Sequence, residues 1–283
     1  MNYLIRKFYL NVLKISGFFE IIYSFIFAKK SNTEVDVIIT LHHKDKEKLA
    51  NCIWGIKINL LHKINSIFII TDKFEEKINY VHNLKCEYIN EKELLKISKK
   101  DINYKSHNID RSGWLLQQLL NYQAVISLGD SEHKFAINAD TILSRKQIFV
   151  KKNKIVFNAC DDYQIDYFDI AKKLLDLPKL SFLSFTSHHM LYRRSIMKEM
   201  LTKIEEKFKT TWPEAILNNV NKKLHSCHSD FETYAQYHYN YYKNDMKVEY
   251  WFNKSIFKKD KIKNYFNHFY YKSLSFHSWA ENR

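Results

Sequence analysis

The chain has 283 residues, 46% of them hydrophobic, with only four glycines and two prolines, which suits one large α/β domain or two small ones and argues against long flexible linkers. A balance of 45 basic against 31 acidic residues leaves a formal charge of +14, favouring an anionic partner: a membrane surface, a nucleic acid or a phosphorylated substrate. Lysine doublets at Lys29-Lys30, Lys99-Lys100, Lys151-Lys152 and Lys258-Lys259 are scattered and carry no nucleic-acid-binding signature, so no nucleic acid is expected.

In chain order, Tyr3 to Ala28 is strongly apolar but interrupted by Arg6, Lys7, Lys14 and Glu20. Leu4, Phe8, Val12, Ile15, Phe19, Ile22 and Ile26 recur at helical spacing and predict one apolar stripe. A spanning helix would bury Lys14 and Glu20, each at a cost of about 2.5–3.5 kcal/mol, and no clear small-residue cleavage site marks a secretory signal. The segment therefore reads as an amphipathic helix, either lying in a bilayer interface or packed on the following domain.

After Lys29-Lys30-Ser31-Asn32, Val35–Leu41 predicts a buried strand, and 47–59 a helix with Leu49, Ile53, Ile56 and Leu60 on one side. Ser66–Asp72 is a second apolar strand, Cys86–Ile89 a short third, and 91–97 is helix-like. Trp114–Ile126 is the next helix, preceded by Arg111-Ser112-Gly113 and carrying Gln117 and Gln118 among leucines. Leu180–Phe185 predicts a strand, followed by Ser187-His188-His189-Met190. Helices follow at Arg194–Phe208 and Trp212–Val220, and a last one opens at Ser229-Asp230, either of which can cap its N-terminus. Strands alternating with helices imply a largely parallel sheet covered on both faces, with ligands at the carboxyl ends of its strands. Thr40, Asp72 and Asp140 are thus expected to share one crevice. Cys52, Cys86, Cys160 and Cys227 are isolated and read as reduced thiols of a cytosolic protein, and His225-x-x-His228 lacks further ligands and reads as polar surface.

The most informative stretch is Phe135–Thr141, an apolar strand ending on Asn138 and Asp140. Residues two apart on a strand point the same way, and two hard oxygen ligands there can hold Mg²⁺ or Mn²⁺ against a diphosphate.

The order of motifs resembles that of the GT-A glycosyltransferases, most of all a poorly characterised bacterial family associated with capsule and O-antigen polysaccharide clusters. The resemblance rests on the opening strand Val35–Thr40, on Arg111-Ser112-Gly113-Trp114-Leu115-Leu116-Gln117-Gln118 and on Ile137-Asn138-Ala139-Asp140-Thr141. A distal set completes it: Ser187-His188-His189-Met190, Trp212-Pro213-Glu214-Ala215-Ile216-Leu217 and Asp230-Phe231-Glu232-Thr233-Tyr234. Together these span residues 35–240. The resemblance implies a GT-A-like (Rossmann-like) mixed α/β fold, transfer of a sugar from a nucleotide-sugar donor to a glycan or lipid-linked glycan acceptor, and a divalent cation on the donor diphosphate. The family's Asp-x-Asp motif falls here on Asn138 and Asp140; the neutral amide is a weaker ligand than the carboxylate it replaces, which implies a lower metal affinity.

Their positions at the ends of the first two strands put Thr40 and Asp72 near the donor base and ribose, while Arg111 is expected at the donor phosphate or paired with a surface acid, and Gln117 or Gln118 near the donor sugar. The resemblance implies a distal histidine, His189 or His188, in the metal shell. Glu232 is the first choice of general base for the acceptor hydroxyl, Asp230 the second and Asp161 or Asp162 the third; helix capping is the competing role of Glu232 and Asp230. The implied division is an amphipathic helix over 1–30, a catalytic domain over 31–250 and a basic aromatic segment over 251–283. The expected place of action is the cytoplasmic face of a membrane with anionic lipids. Two other classes compete. A nucleotidyltransferase would normally carry a glycine-rich loop, and a basic module binding membrane or nucleic acid would not need Asn, Asp and His at strand ends.

Overall fold

The computed structural model describes residues 3–27, 29–74, 76–256 and 270–276. The chain begins with helix α1 (Tyr3–Phe27) and then alternates: β1 (Glu34–Thr40), α2 (Lys46–Asn59), β2 (Lys63–Thr71), β3 (Ile78–Val81), β4 (Leu84–Asn90), α3 (Glu91–Leu94), α4 (Lys99–Ile102), β5 (Lys105–Ser106), β6 (Ile109–Asp110) and α5 (Ser112–Ser127). It continues through β7 (His133–Asn138), β8 (Thr141–Leu143), β9 (Val150–Lys151), β10 (Lys154–Ala159), α6 (Ile165–Leu175), β11 (His189–Arg193), α7 (Arg194–Phe208), α8 (Trp212–Asn219), α9 (Asp230–Tyr241), β12 (Met246–Tyr250), β13 (Asn253–Ile256) and β14 (Ser273–Phe276).

The central sheet has six strands in the order β11-β7-β1-β2-β4-β3. Strands β7, β1, β2 and β4 run parallel, and β11 and β3 close the two edges antiparallel. This is the mixed, largely parallel α/β architecture expected from the alternating pattern. The central strands are apolar on both faces because helices cover both; Val37, Ile38, Ile39, Phe135, Ala136 and Ile137 are all buried. The exception is an ion pair inside the sheet. Lys134 Nζ lies 2.5 Å from Asp36 Oδ2 with both side chains fully buried, and Asn65 and the Ser131 N–H also donate to Asp36. Gly129, at φ +61°, passes so close that a Cβ there would lie 2.2 Å from Asp36 Oδ2, so the turn before β7 admits no side chain.

Two small sheets extend the domain: β12-β10-β9, and β13-β14-β8. The described part of the carboxyl-terminal segment therefore packs into the domain, since Ser275 pairs with Thr141 and the Phe276 N–H donates to the Asp140 carbonyl. Tyr265, Phe266, Phe269 and Trp279 lie outside the described residues. The predicted strand at 180–185 is not one. It makes a single bridge, Cys160 to Ser184, because its backbone N–H groups are claimed by side chains: Ser181 by Gln236 Oε1, Leu183 by Ser181 Oγ and Phe185 by Glu232 Oε2. The helix expected over 91–97 stops at Leu94.

Helix α1 packs in the reverse of the usual sense. Two of its four interrupting charges turn toward the protein, Lys14 to Asp161 at 3.0 Å and Glu20 to Lys247 at 2.6 Å. Leu10 and Ile21 are buried, and Gly17 lets Phe252 approach, with a Cβ there only 2.5 Å from its ring. The predicted stripe is left outward: Leu4, Phe8, Ile15 and Phe19 are 63–66% exposed.

Candidate active site

The carboxyl ends of the parallel strands converge on one edge of the sheet. Strand β7 ends at half-buried Asn138, and half-buried Asp140 follows in the turn into β8. Helix α5 lies over this edge, and Gln117 Nε2 is 3.4 Å from Asn138 Oδ1. Lys48, buried in the first turn of α2, donates to Asp45 at 3.0 Å and to the Phe276 carbonyl at 2.8 Å, which brings a positive charge to the strand end that bonds Asp140.

Thr40 and Asp230 belong to one buried network. Thr40 Oγ1 donates to Asn121 Oδ1 at 2.5 Å, and Asn121 Nδ2 donates to Asp230 Oδ2 at 2.9 Å. Tyr192 donates to the same carboxylate oxygen at 3.4 Å, and the Asp230 N–H donates to Gln118 Oε1 at 2.9 Å. Of the two glutamines, Gln117 reaches the strand end and Gln118 turns inward to α9. Burial raises the Asp230 carboxyl to about 6 against the bonds from Asn121 and Tyr192.

Glu232 is wholly buried. Its Oε2 accepts from Ser184 Oγ and the Phe185 N–H, both at 2.8 Å, and its Oε1 accepts from Gln236 at 2.6 Å. Burial outweighs these donors and raises its carboxyl to about 7. Ser229 caps the helix through the Glu232 N–H. Glu232 and Asp230 thus tie α9 to its neighbours and are closed off from solvent. Asp161 and Asp162 are exposed, held by Lys14 and Gln164 respectively.

The histidine pair divides between two faces. His189 is paired opposite Ile137, so it shares the Phe135 face of β7 and points away from Asn138. Its ring lies 5.8 Å from Phe135 and 5.2 Å from Phe149, with Nε2 3.3 Å from Asn158. Burial lowers its pKa to about 3. The structure therefore does not bring His189 to Asn138 and Asp140. His188 is the nearer: its carbonyl accepts from the Asn138 N–H at 3.0 Å, and its Nδ1 is 2.7 Å from Ser275 Oγ. Nor is His228 the surface residue expected. It is fully buried edge-to-face against Tyr122 at 6.0 Å, with its pKa lowered to about 3 by burial. All four cysteines are free and buried.

Asp72 is exposed just beyond β2. Its charge acts on Glu91, and Glu91 and His42 both couple to Lys99; none of these three was among the expected site residues. Burial raises the Glu91 carboxyl, Lys99 opposes it and Asp72 adds to it. Burial also lowers His42, with His43 and Lys99 acting the same way. Lys99 lies across the start of α5, its Cε 3.1 Å from where a Gly113 Cβ would be. The strand-end rule that selected Thr40 and Asp72 would also have selected His42 and Glu91, which follow β1 and β4. Arg111, at the head of α5, stacks its guanidinium 4.3 Å from the Trp114 ring and keeps a buried Nε without a partner.

Asn138 and Asp140 fit a hard cation that keeps most of its shell for phosphate oxygens and water. Among the described residues no group of three His, Cys, Asp or Glu side chains could hold a metal alone. No helix among the described residues is long and apolar enough to cross a membrane.

No protein-family model matches the chain, and no curated protein sequence matches it. Solved structures similar to it include mouse xyloside xylosyltransferase 1 in its apo form, at TM-score 0.47 and 10% identity over 88% of this chain and 99% of that one. Another is the galactosyltransferase LgtC in complex with donor and acceptor sugar analogs, at TM-score 0.48 and 8% identity over 85% and 86% of the two chains. The apo bifunctional glycosyltransferase WbbM is a third, at TM-score 0.48 and 10% identity over 88% of this chain and 46% of that one.

Proposed function

We propose that the chain is a GT-A-type glycosyltransferase that moves a sugar from a nucleotide-sugar donor to a growing surface polysaccharide (capsule, O-antigen or lipopolysaccharide), free or lipid-linked. The observation that carries this reading is the ending of the central strand β7 on Asn138 and Asp140, with Gln117 on Asn138. Around that edge stand Asp72, Lys99 and Arg111. A bound Mn²⁺ or Mg²⁺ would neutralise the charge that develops on the departing nucleoside diphosphate, and Asp140 and Asn138 would hold it. Lys99 and Arg111 supply donors toward the same phosphates, and Asp72 and Glu91 face the base and ribose.

In this reading Glu232 and Asp230 position the site: Asp230 holds Asn121, which holds Thr40. A nucleotidyltransferase is the weaker alternative, because Gly17, Gly55 and Gly113 lie within helices and Gly129 packs on Asp36, leaving no glycine-rich phosphate loop. The outward stripe of α1 supports peripheral attachment to an anionic bilayer at the cytoplasmic face, since a contiguous exposed apolar surface beside basic residues matches lipid.

The decisive test is calorimetric titration of UDP, GDP, CMP and dTDP, with and without Mn²⁺, into wild type and Asp140→Ala. Selective Mn²⁺-dependent binding that the variant loses is expected; no binding of any nucleotide under either condition overturns the transferase reading. Co-sedimentation of Phe8→Ser/Phe19→Ser with anionic vesicles checks the membrane claim, and retention equal to wild type refutes it.

A further inference from the structure

At the opposite end of the central sheet from Asp140, where Leu61 and Gln147 join ahead of β2, lies a second pocket of about 640 Å³. Seven basic side chains line it against two carboxylates, Glu20 and Glu249. Both carboxylates are already claimed. Glu249 takes Lys151 at 2.6 Å and Lys272 at 2.8 Å, and Glu20 takes Lys247 at 2.6 Å. The other four cations, Lys29, Lys30, Arg145 and Lys146, have no carboxylate within ion-pair distance among the described residues.

Arg145 is the most telling of them. It is half-buried, and among the described residues its one hydrogen bond is a long one, 3.5 Å from Nη1 to the Tyr270 carbonyl. Burial lowers its pKa to about 10. Glu249 and Glu20 act on it only from beyond ion-pair distance, and a cation drawn partly out of water without a carboxylate in contact is stabilised by a bound anion. The guanidinium fork and the lysine ammoniums match the oxygens of a phosphate group. Apolar Leu61, Phe149 and Val156 floor the pocket, so the group it suits carries an apolar or ring-bearing remainder.

We propose that this pocket is a second anion site, separate from the Asp140 crevice, that binds the phosphate or diphosphate group of a ligand. The same chemistry is offered by a lipid headgroup, which the adjoining end of α1 would bring within reach, and by a soluble phosphorylated compound. The proposal does not depend on the transferase reading.

Inorganic pyrophosphate titrated calorimetrically into the full chain tests it. Four proteins are compared with wild type: Arg145→Gln, Lys30→Gln/Lys146→Gln, Lys85→Gln/Lys100→Gln and Asp140→Ala. Lys30 and Lys146 are exposed, so their replacement spares the fold even if Arg145→Gln does not. Pocket variants are expected to bind about fivefold more weakly per cation removed, while the charge-matched Lys85/Lys100 variant and Asp140→Ala keep wild-type affinity for this site. Absent binding, or equal loss in the charge-matched control, overturns the proposal.

Vesicles of phosphatidylcholine with and without phosphatidic acid separate the two sources. Phosphatidic-acid-dependent sedimentation that pocket variants lose and pyrophosphate competes away assigns a lipid headgroup. Pyrophosphate binding weakened in pocket variants with sedimentation unchanged assigns a soluble phosphate compound.

Discussion

Asn138 with Asp140 and Asp230 with Glu232 are both pairs of oxygen ligands two residues apart, one ending a strand and the other opening a helix. At the strand end the chain turns away from the sheet, and both residues stay half-buried. At the helix start the same spacing points Asp230 and Glu232 into the packing between α9, α5 and the 181–185 segment, where each is buried and hydrogen-bonded. Equal spacing therefore carries no functional meaning until the element and its neighbours are known. A carboxylate buried to satisfy backbone N–H groups is structural; one that stays half-buried at a strand end keeps contact with solvent.

Substitutions that separate stability from binding can break this comparison. The largest effect is expected for Glu232→Ala, which strands the Phe185 N–H, Ser184 and Gln236; loss of about 3 kcal/mol or more should follow, measured by urea unfolding. A variant as stable as wild type would mean that Glu232 is not the tie described. Asp140→Ala is expected to do the reverse, with Mn²⁺-dependent nucleotide binding weakened at least about tenfold, or 1.4 kcal/mol, and stability changed by less than about 0.5 kcal/mol. Equal losses of stability in the two variants would erase the distinction.

A pH series sharpens the contrast further. The folded pKa values of Glu232 and Asp230 are raised, to about 7 and about 6, so the native state holds protons that the unfolded chain has released. Their contribution is full below the unfolded carboxylate pKa values and is lost as pH rises through the folded ones. Stability should therefore fall between about pH 4.5 and pH 7, and Glu232→Gln should flatten the slope; an unchanged slope in that variant would refute the assignment. The smallest effect is expected for Gln117→Ala. Its long bond to Asn138 predicts nucleotide binding weakened by about threefold at most with unfolding unaltered, and a tenfold loss would show a direct contact with donor.

The same contrast explains what could be read in advance. The alternation of strands and helices, the parallel sheet and the strand-end positions of Thr40, Asp72 and Asp140 follow from apolar periodicity, a local property. The apolar stripe of α1 was equally visible, but its outward direction was not. That depends on Lys14 and Glu20 finding partners in Asp161 and Lys247, far along the chain. The Leu180–Phe185 segment misled because its composition is that of a strand while its N–H groups are taken by side chains, Gln236 and Glu232 from α9 and Ser181 from the segment itself.

By itself the sequence determined the class of fold and the polar end of its central strand, because periodicity and strand ends are encoded by neighbouring residues. Only the tertiary structure decided that Asp230 and Glu232 lie inside, that His189 faces away from Asp140 on the Phe135 side, and that Arg145 and the lysines around it line a pocket. Those outcomes rest on register and on partners tens to hundreds of residues apart, where burial and pairing set the charge each group can carry.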